Sequence, residues 1–285
     1  MPALTDAGYI RAVLGKHGFH FSKGLGQNFL INPSVCPRMA EACDLDKDSA
    51  ALEIGPGFGV LTKELAERAG KVVALEVDER LPAVLAETLA DYDNVELVMQ
   101  DVLKADLPAL LNDKCGGKKV AVCANLPYYI TSPVIMCLLE QRLPVSCITV
   151  MVQKEAAQRL CAKPGTRECG AVSLAVQYYA EAETLFSVSR GSFMPAPNVD
   201  SAVIRLVPKA ELPLSGDTER RLFALIKAAF GKRRKTLQNA LQDTGLSREQ
   251  VTAMLEACGV PVTARAEQLT LEQFIELAKA YPARP

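Results

Sequence analysis

The spacing of hydrophobic residues changes period many times along this chain, and each change marks an element. Mostly apolar runs, the signature of strands covered on both faces, fall at 50–54, 71–77, 95–99, 119–124 and 146–152. Helical periodicity fills several of the gaps: 61–69, 81–92 with Pro82 tolerated in its first turn, and a helix opened by Ser132 as cap and Pro133 as first residue, running to Gln141. Strands alternating with helices predict an α/β domain built on a parallel sheet. Upstream, a helix is expected at 5–16 with Tyr9, Ile10, Val13 and Leu14 on one face, then a glycine-punctuated loop at 22–33 and a short helix at 34–42. Downstream, helices at 153–162 and 170–179 flank a charged loop at 163–168, and strands are expected at 184–188 and 201–207. The pattern then changes. Residues 209–216 read as a linker and everything after as helix, with Leu222, Leu225, Ile226, Ala229 and Phe230 on one face. Ser247 with Gln250 and Thr270 with Gln273 are capping boxes opening two further helices. The expected division is a sheet domain at 1–208 and a small all-helical domain at 209–285.

Composition narrows the classes. At 285 residues, 49% hydrophobic and 23% charged, the chain is an ordinary globular protein with room for one large domain and one small one. With 32 basic and 33 acidic residues the net charge is −1, so any nucleic-acid binding must come from a local patch. One stretch qualifies. Residues 220–235 carry Arg220, Arg221, Lys227, Lys232, Arg233, Arg234 and Lys235 with no acidic residue among them, and Arg220, Lys227 and Arg234 recur every seven positions. The patch reads as a phosphate-binding surface or, more plainly, as a solvated helix face. Nine cysteines, an odd number never spaced C-x-x-C, fit reduced thiols in the cytoplasm better than a disulfide frame or a zinc site. His17 and His20 are the only histidines, so no metal is expected. The N-terminus has no apolar core of signal length and no apolar run approaches the ~18 residues of a membrane span. A cytoplasmic monomer with no membrane partner is therefore expected.

Two strand ends carry the chemistry. After the strand at 50–54 comes Gly55-Pro-Gly-Phe-Gly59, a loop whose glycines let backbone approach a ligand at a helix N-terminus, with Gly55 and Gly57 the closest candidates. Glu76 follows about 20 residues later at the end of the next strand, where an acidic side chain grips ribose hydroxyls in this fold. Val60 stands where a dinucleotide site wants its third glycine, so the loop is G-x-G-x-G. That form suits S-adenosylmethionine, which has no pyrophosphate for the helix to bind. Asp101, past the third strand, is placed to accept an adenine amine while Val102 packs on the ring; the alternative is a turn cap. Asn125-Leu-Pro-Tyr128 leaves the fourth strand. The Asn125 amide oxygen and the Leu126 carbonyl can accept both N–H bonds of an exocyclic base amine and favour a pyramidal nitrogen. Pro127 restrains Leu126, and Tyr128 can stack on the base. The tetrapeptide alone also fits an ordinary proline turn. Phe193, in a segment stiffened by Pro195 and Pro197, can be read as a second stacking face opposite Tyr128 or as core.

With these residues assembled, the chain resembles the KsgA-type rRNA adenine dimethyltransferase family over nearly its whole length. The resemblance rests on Gly26-Gln-Asn-Phe-Leu30, Glu53-Ile-Gly-Pro-Gly-Phe-Gly59, Glu76, Asp101, Asn125-Leu-Pro-Tyr128, Gln153-Lys-Glu155, Phe193-x-Pro-x-Pro-x-Val-x-Ser201 and Arg265-Ala-Glu-x-Leu269. It implies a Rossmann-like class I S-adenosylmethionine-dependent methyltransferase domain followed by the helical domain, the latter binding RNA. It further implies that Asn28, Leu30, Gly55, Glu76, Asp101 and Asn125 line the cofactor site, and that Asn125, Leu126, Tyr128 and Phe193 hold the target adenine. The expected reaction is methylation of N6 on two adjacent adenosines in the 3′-terminal hairpin loop of 16S rRNA, late in assembly of the small ribosomal subunit. Loop adenines suit such a site because they can be flipped at modest cost. Relative to the family, this chain departs at Tyr129, where asparagine is frequent, and at Cys169, where an aromatic is frequent; Lys23 is the only basic residue just before Gly26-Gln27. The rivals are an Erm-type large-subunit rRNA methyltransferase, an assembly or transcription factor that lost the reaction, and an NAD oxidoreductase. Leu126 and Arg265-Ala-Glu267 argue against the first, the intact glycine loop and Asn-Leu-Pro-Tyr against the second, and Val60 against the third.

Overall fold

The computed structural model describes residues 2–21, 26–232 and 235–282. Helix α1 (Ala7–Lys16) starts where the Asp6 carboxylate accepts the Tyr9 N–H at 2.7 Å, and it buries Ile10, Val13 and Leu14. Strand β1 (Phe29–Leu30) and helix α2 (Val35–Glu41) follow. A regular alternation comes next: β2 (Ala50–Ile54), α3 (Val60–Arg68), β3 (Lys71–Glu76), α4 (Leu81–Thr88), β4 (Val95–Met99), α5 (Leu107–Cys115), β5 (Val120–Asn125), α6 (Thr131–Glu140) and β6 (Val145–Gln153). Helices α7 (Lys154–Leu160) and α8 (Ala171–Tyr179) then lead to β7 (Ala180–Val188), β8 (Phe193–Met194) and β9 (Ser201–Pro208).

Seven strands form one mixed sheet in the order β4-β3-β2-β5-β6-β9-β7. The pairs from β4 through β6 are parallel, and β9 runs antiparallel to β6. This order follows from the alternation: the chain starts mid-sheet at β2, builds outward through β3 and β4, then returns to lay β5 on the other side of β2. A crevice opens at such a reversal, at the strands' C-terminal ends. Register fixes what borders it. Ile54 pairs with both Leu75 and Ala124, so Gly55, Glu76 and Asn125 leave the sheet side by side.

Several boundaries differ from the sequence expectation. Helix α4 stops at Thr88 rather than Tyr92. Helix α6 begins at Thr131 after a 3-10 turn at Tyr128–Ile130, so Ser132 lies inside the helix and does not cap it. The Pro127 carbonyl takes over the nucleating role, accepting the Ile130 N–H at 3.2 Å. Strand β7 starts at Ala180, ahead of Thr184. Helix α5 was not expected, although Asp106 caps the Ala109 N–H at 3.0 Å and left-handed Gly116 ends it. A two-stranded antiparallel sheet pairs β1 with β8, Phe29 opposite Met194 and Leu30 opposite Phe193; two-residue strands carry no readable period.

The chain divides into two compact units, 1–157 with 182–208, and 158–181 with 209–285. Residues 158–181, expected from the sequence to belong to the first domain, group with the helical part. Tyr178 and Tyr179 pack against Phe223 at 5.2 and 5.6 Å between ring centroids, and the Tyr178 hydroxyl donates to the Leu214 carbonyl at 3.0 Å. The remaining helices of that unit are α9 (Gly216–Gly231), α10 (Leu237–Ala240), α11 (Arg248–Ala257) and α12 (Leu271–Lys279). Helix α9 buries Leu222, Leu225, Ile226 and Ala229, and Phe230 meets Phe274. Both expected capping boxes are formed.

Candidate active site

A cavity of about 380 Å³ opens at the β2/β5 reversal, a size suited to a small organic ligand. Its walls bring together Asn28, Leu30, Gly55, Gly57, Glu76, Asp101, Val102, Asn125, Leu126 and Tyr128, which lie far apart in sequence. The glycine loop needs its glycines for two separate reasons. Gly55 has φ +70° and an added Cβ would meet nothing within 4 Å, so its bare backbone is presented to open space. Gly57 has φ +58°, and a Cβ there would come 3.1 Å from the Phe29 ring. Glu76 accepts the Val77 and Asp78 N–H groups on Oε1 at 2.7 and 2.9 Å. Burial nonetheless outweighs these bonds and raises its pKa. Asp101 forms the turn cap of the alternative reading, its Oδ1 accepting the Leu103 N–H at 3.0 Å, and it also borders the cavity.

At the other end of the cavity the Asn-Leu-Pro-Tyr segment is held on every side. The Asn125 Nδ2 donates to the Asn28 carbonyl at 3.3 Å, which leaves Oδ1 with no hydrogen bond among the described residues. The Leu126 N–H donates to the Met151 carbonyl at 3.2 Å, and its own carbonyl accepts nothing from the described residues. Pro127 has φ −55°, fixing the turn that aims that carbonyl. The Tyr128 hydroxyl is anchored to Ser201 Oγ at 2.8 Å, and burial raises its pKa, keeping the ring neutral.

Phe193 does not join this wall. It is 3% exposed, packed in the hydrophobic core, and its strand β8 backs Leu30; core burial of a large ring outweighs display to solvent. Lys23, Arg233 and Arg234 lie outside the described residues. Of the other basic candidates, Arg220 pairs with Asp217 and Lys232 with Asp243, the latter at 2.7 Å, while Lys227 and Lys235 are exposed with no acidic partner among the described residues. Helix α9 ends at Gly231, so the seven-residue spacing joins Arg220 and Lys227 only.

Two groups had no role read for them in the sequence. Glu53 lines the cavity at 1% exposure, and its Oε2 reaches no hydrogen-bond partner among the described residues. Burial lifts its pKa from 4.5 to about 8, opposed by the Thr62 hydroxyl and reinforced by Glu76. The signal was a lone carboxylate inside the apolar strand β2. The second group ties down the loop bearing Asn28. Arg80 binds Asp78 through Nε at 2.8 Å and a second nitrogen at 2.6 Å, Gln27 donates to the same carboxylate at 2.7 Å, and Arg80 also reaches the His20 carbonyl at 3.0 Å. Among the described residues there is no cluster suited to a metal ion and no helix long and apolar enough to cross a membrane.

A parallel-centred seven-stranded sheet with a glycine loop, an acidic strand end and this cavity at its reversal defines a Rossmann-like class I methyltransferase. The family model for ribosomal RNA adenine dimethylases matches residues 18–282, and the chain belongs to that family. It is 46% identical to the ribosomal RNA small subunit methyltransferase A of Alkaliphilus metalliredigens, over 286 residues and 100% of each chain. Among solved structures, a dimethyladenosine transferase from Plasmodium falciparum is similar with a TM-score of 0.75 and 27% identity, covering 87% of this chain and 95% of the other. The 23S rRNA methyltransferase ErmE gives a TM-score of 0.69 and 31% identity, covering 89% of this chain and 99% of that one.

Proposed function

We propose that this protein transfers methyl groups from S-adenosylmethionine to N6 of two adjacent adenosines in the 3′-terminal hairpin loop of 16S rRNA, in the cytoplasm, late in small-subunit assembly. The observation that carries the reading is the pair of unengaged acceptors, Asn125 Oδ1 and the Leu126 carbonyl, at the mouth of the cavity bordered by the glycine loop and Glu76. The residues present fit the cofactor: Gly55 offers bare backbone to open space, Glu76 an acceptor for ribose hydroxyls, Asp101 an acceptor for the adenine amine and Val102 an apolar surface for its ring. When bound, S-adenosylmethionine supplies an electrophilic methyl on a sulfonium.

The chain's own part is to prepare the nucleophile. The N6 lone pair of adenine is delocalised into the ring, and two acceptors placed on its two N–H bonds draw the nitrogen toward a pyramidal shape with a localised lone pair. Both acceptors are preorganised, one by the Asn28 carbonyl and the other by Pro127, so no reorganisation is needed at reaction. The anchored Tyr128 ring supplies a stacking face. No strong base is required, because the amine carries positive charge only after the methyl has arrived and loses its proton readily then. Lys227 and Lys235 on the helical unit supply phosphate contacts.

The small-subunit assignment is favoured over the large-subunit one by the end-to-end match to a small-subunit relative at 46% identity, against 31% for ErmE. Mass spectrometry of the rRNA 3′ fragment, from unmethylated small subunits incubated with and without the protein, tests it. The expected result is added methyl mass on adjacent adenosines; an unchanged fragment refutes the reading.

A further inference from the structure

Among the described residues Tyr129 is the most exposed of the large hydrophobic and aromatic side chains, at 60%, yet it borders the cavity. It follows Tyr128 in the single 3-10 turn Tyr128–Ile130. Three residues per turn send consecutive side chains about 120° apart, and the two rings have opposite fates: Tyr128 is tied inward to Ser201 Oγ at 2.8 Å, whereas Tyr129 has neither a hydrogen bond nor a ring contact among the described residues. One edge of the Tyr129 ring lies by Gly26, whose added Cβ would sit 3.5 Å from Cδ1 and Cε1. A β-carbon there would make ordinary van der Waals contact with this ring and with the Pro127 Cβ, also at 3.5 Å, so the ring rests one edge beside Gly26 and Pro127 and leaves its aromatic face open. An uncovered ring at a cavity mouth costs solvation unless something flat covers it in use.

Resting on the adenosine-methylation reading, we propose that Tyr129 is the stacking platform for the nucleobase flanking the target adenosine. The reasoning is geometric. A base drawn into the cavity leaves its stack, and its neighbour on the strand loses one stacking partner. That neighbour remains at the cavity mouth, within one nucleotide of Tyr128, and the free aromatic face there is Tyr129. Base-on-aromatic stacking tolerates any base, since each has a π-face. Tyr129 therefore adds binding strength and holds the strand in register without reading sequence, and because its neighbour is unstacked in any flipped complex, the same platform serves each of two adjacent targets in turn.

The test uses the full-length protein and an RNA hairpin carrying 2-aminopurine at each position flanking the target adenosine in turn. Stacking on Tyr129 quenches the fluorescence of one of these probes on binding; Tyr129→Phe preserves the quench and Tyr129→Ala removes it. In methyl-transfer assays Tyr129→Ala raises KM for the hairpin about ten-fold, within the range of base stacking, while cofactor affinity measured by calorimetry is unchanged. An abasic flanking nucleotide raises KM for the wild type by a similar factor and adds nothing in Tyr129→Ala. A quench that persists in Tyr129→Ala, or effects of the two changes that multiply, overturns the platform. A quench on binding with no methyl transferred to the hairpin or to unmethylated small subunits instead overturns the methylation reading and leaves the platform standing.

Discussion

At the scale of single residues, two carboxamide-end atoms and one buried acid carry the account. Asn125 holds the Asn28 carbonyl through Nδ2, and in the proposed reaction its Oδ1 is the atom left for the adenine amine. Asn125→Ala should lower kcat by about 10²- to 10³-fold, the usual loss for one preorganised polar group at a reacting centre, while calorimetry finds cofactor binding at least partly retained. Wild-type turnover in that variant would remove the amine-gripping role. Glu53 makes a separate statement about pH. Its folded pKa of about 8 lies above the ordinary 4.5, so the folded state holds a proton that the unfolded state has released, and its contribution to stability is lost as pH rises from about 4.5 to about 8. Glu53→Gln removes that titration. In the cofactor-free protein it should lie close to the wild type at pH 5 and exceed it by about 4 kcal/mol at pH 8, read as a difference in Tm that grows with pH; a difference constant across that range would contradict the buried-acid assignment.

Among elements, the β2–α3 glycine turn shows how local geometry and the cavity constrain each other. Gly57→Ala asks an L-residue to hold φ +58° and pushes a methyl to 3.1 Å from the Phe29 ring. The expected cost is about 1–2 kcal/mol from the left-handed backbone, seen as a lower Tm together with weaker cofactor binding, and an unchanged Tm would mean that the turn relaxes freely. The strands were legible because parallel strands buried on both faces read as apolar runs, and the switch point followed from their order with the helices. Helix α5 was missed although Asp106, Pro108 and Gly116 bracket it, because only Leu107, Leu111 and Cys115 are buried, too thin a stripe to announce a period. The displaced start of α6 comes from the short-range bond of the Pro127 carbonyl to the Ile130 N–H, whereas the β1/β8 pair depends on contacts distant in sequence, across 29–30 and 193–194. Local patterns do not carry such contacts. Phe193 shows the same limit at the site: its proline-flanked setting suggested display, and pairing with β1 buried it.

For the whole molecule, net charge said little and pairing said more. Four of the basic positions nominated for RNA are described, besides Arg221 over the Tyr281 ring, and two of the four, Arg220 and Lys232, already face aspartates. Among the described positions, Lys227 and Lys235 are thus the ones expected to release counterions on binding. Lys227→Gln with Lys235→Gln should reduce the slope of log affinity against log salt by roughly one for each lysine that meets a phosphate in the wild type, and an unchanged slope would return them to a solvated face. The Arg80–Asp78–Gln27 cluster, invisible as a motif, shows why the cavity needs residues from the N-terminal loop as well as the sheet. These features converge on one activity, which is measured most directly by offering labelled S-adenosylmethionine and the purified protein to unmethylated small subunits and, separately, to large subunits. The account predicts label on adenosines of the small subunit alone; label on large subunits alone, or on neither, would contradict it.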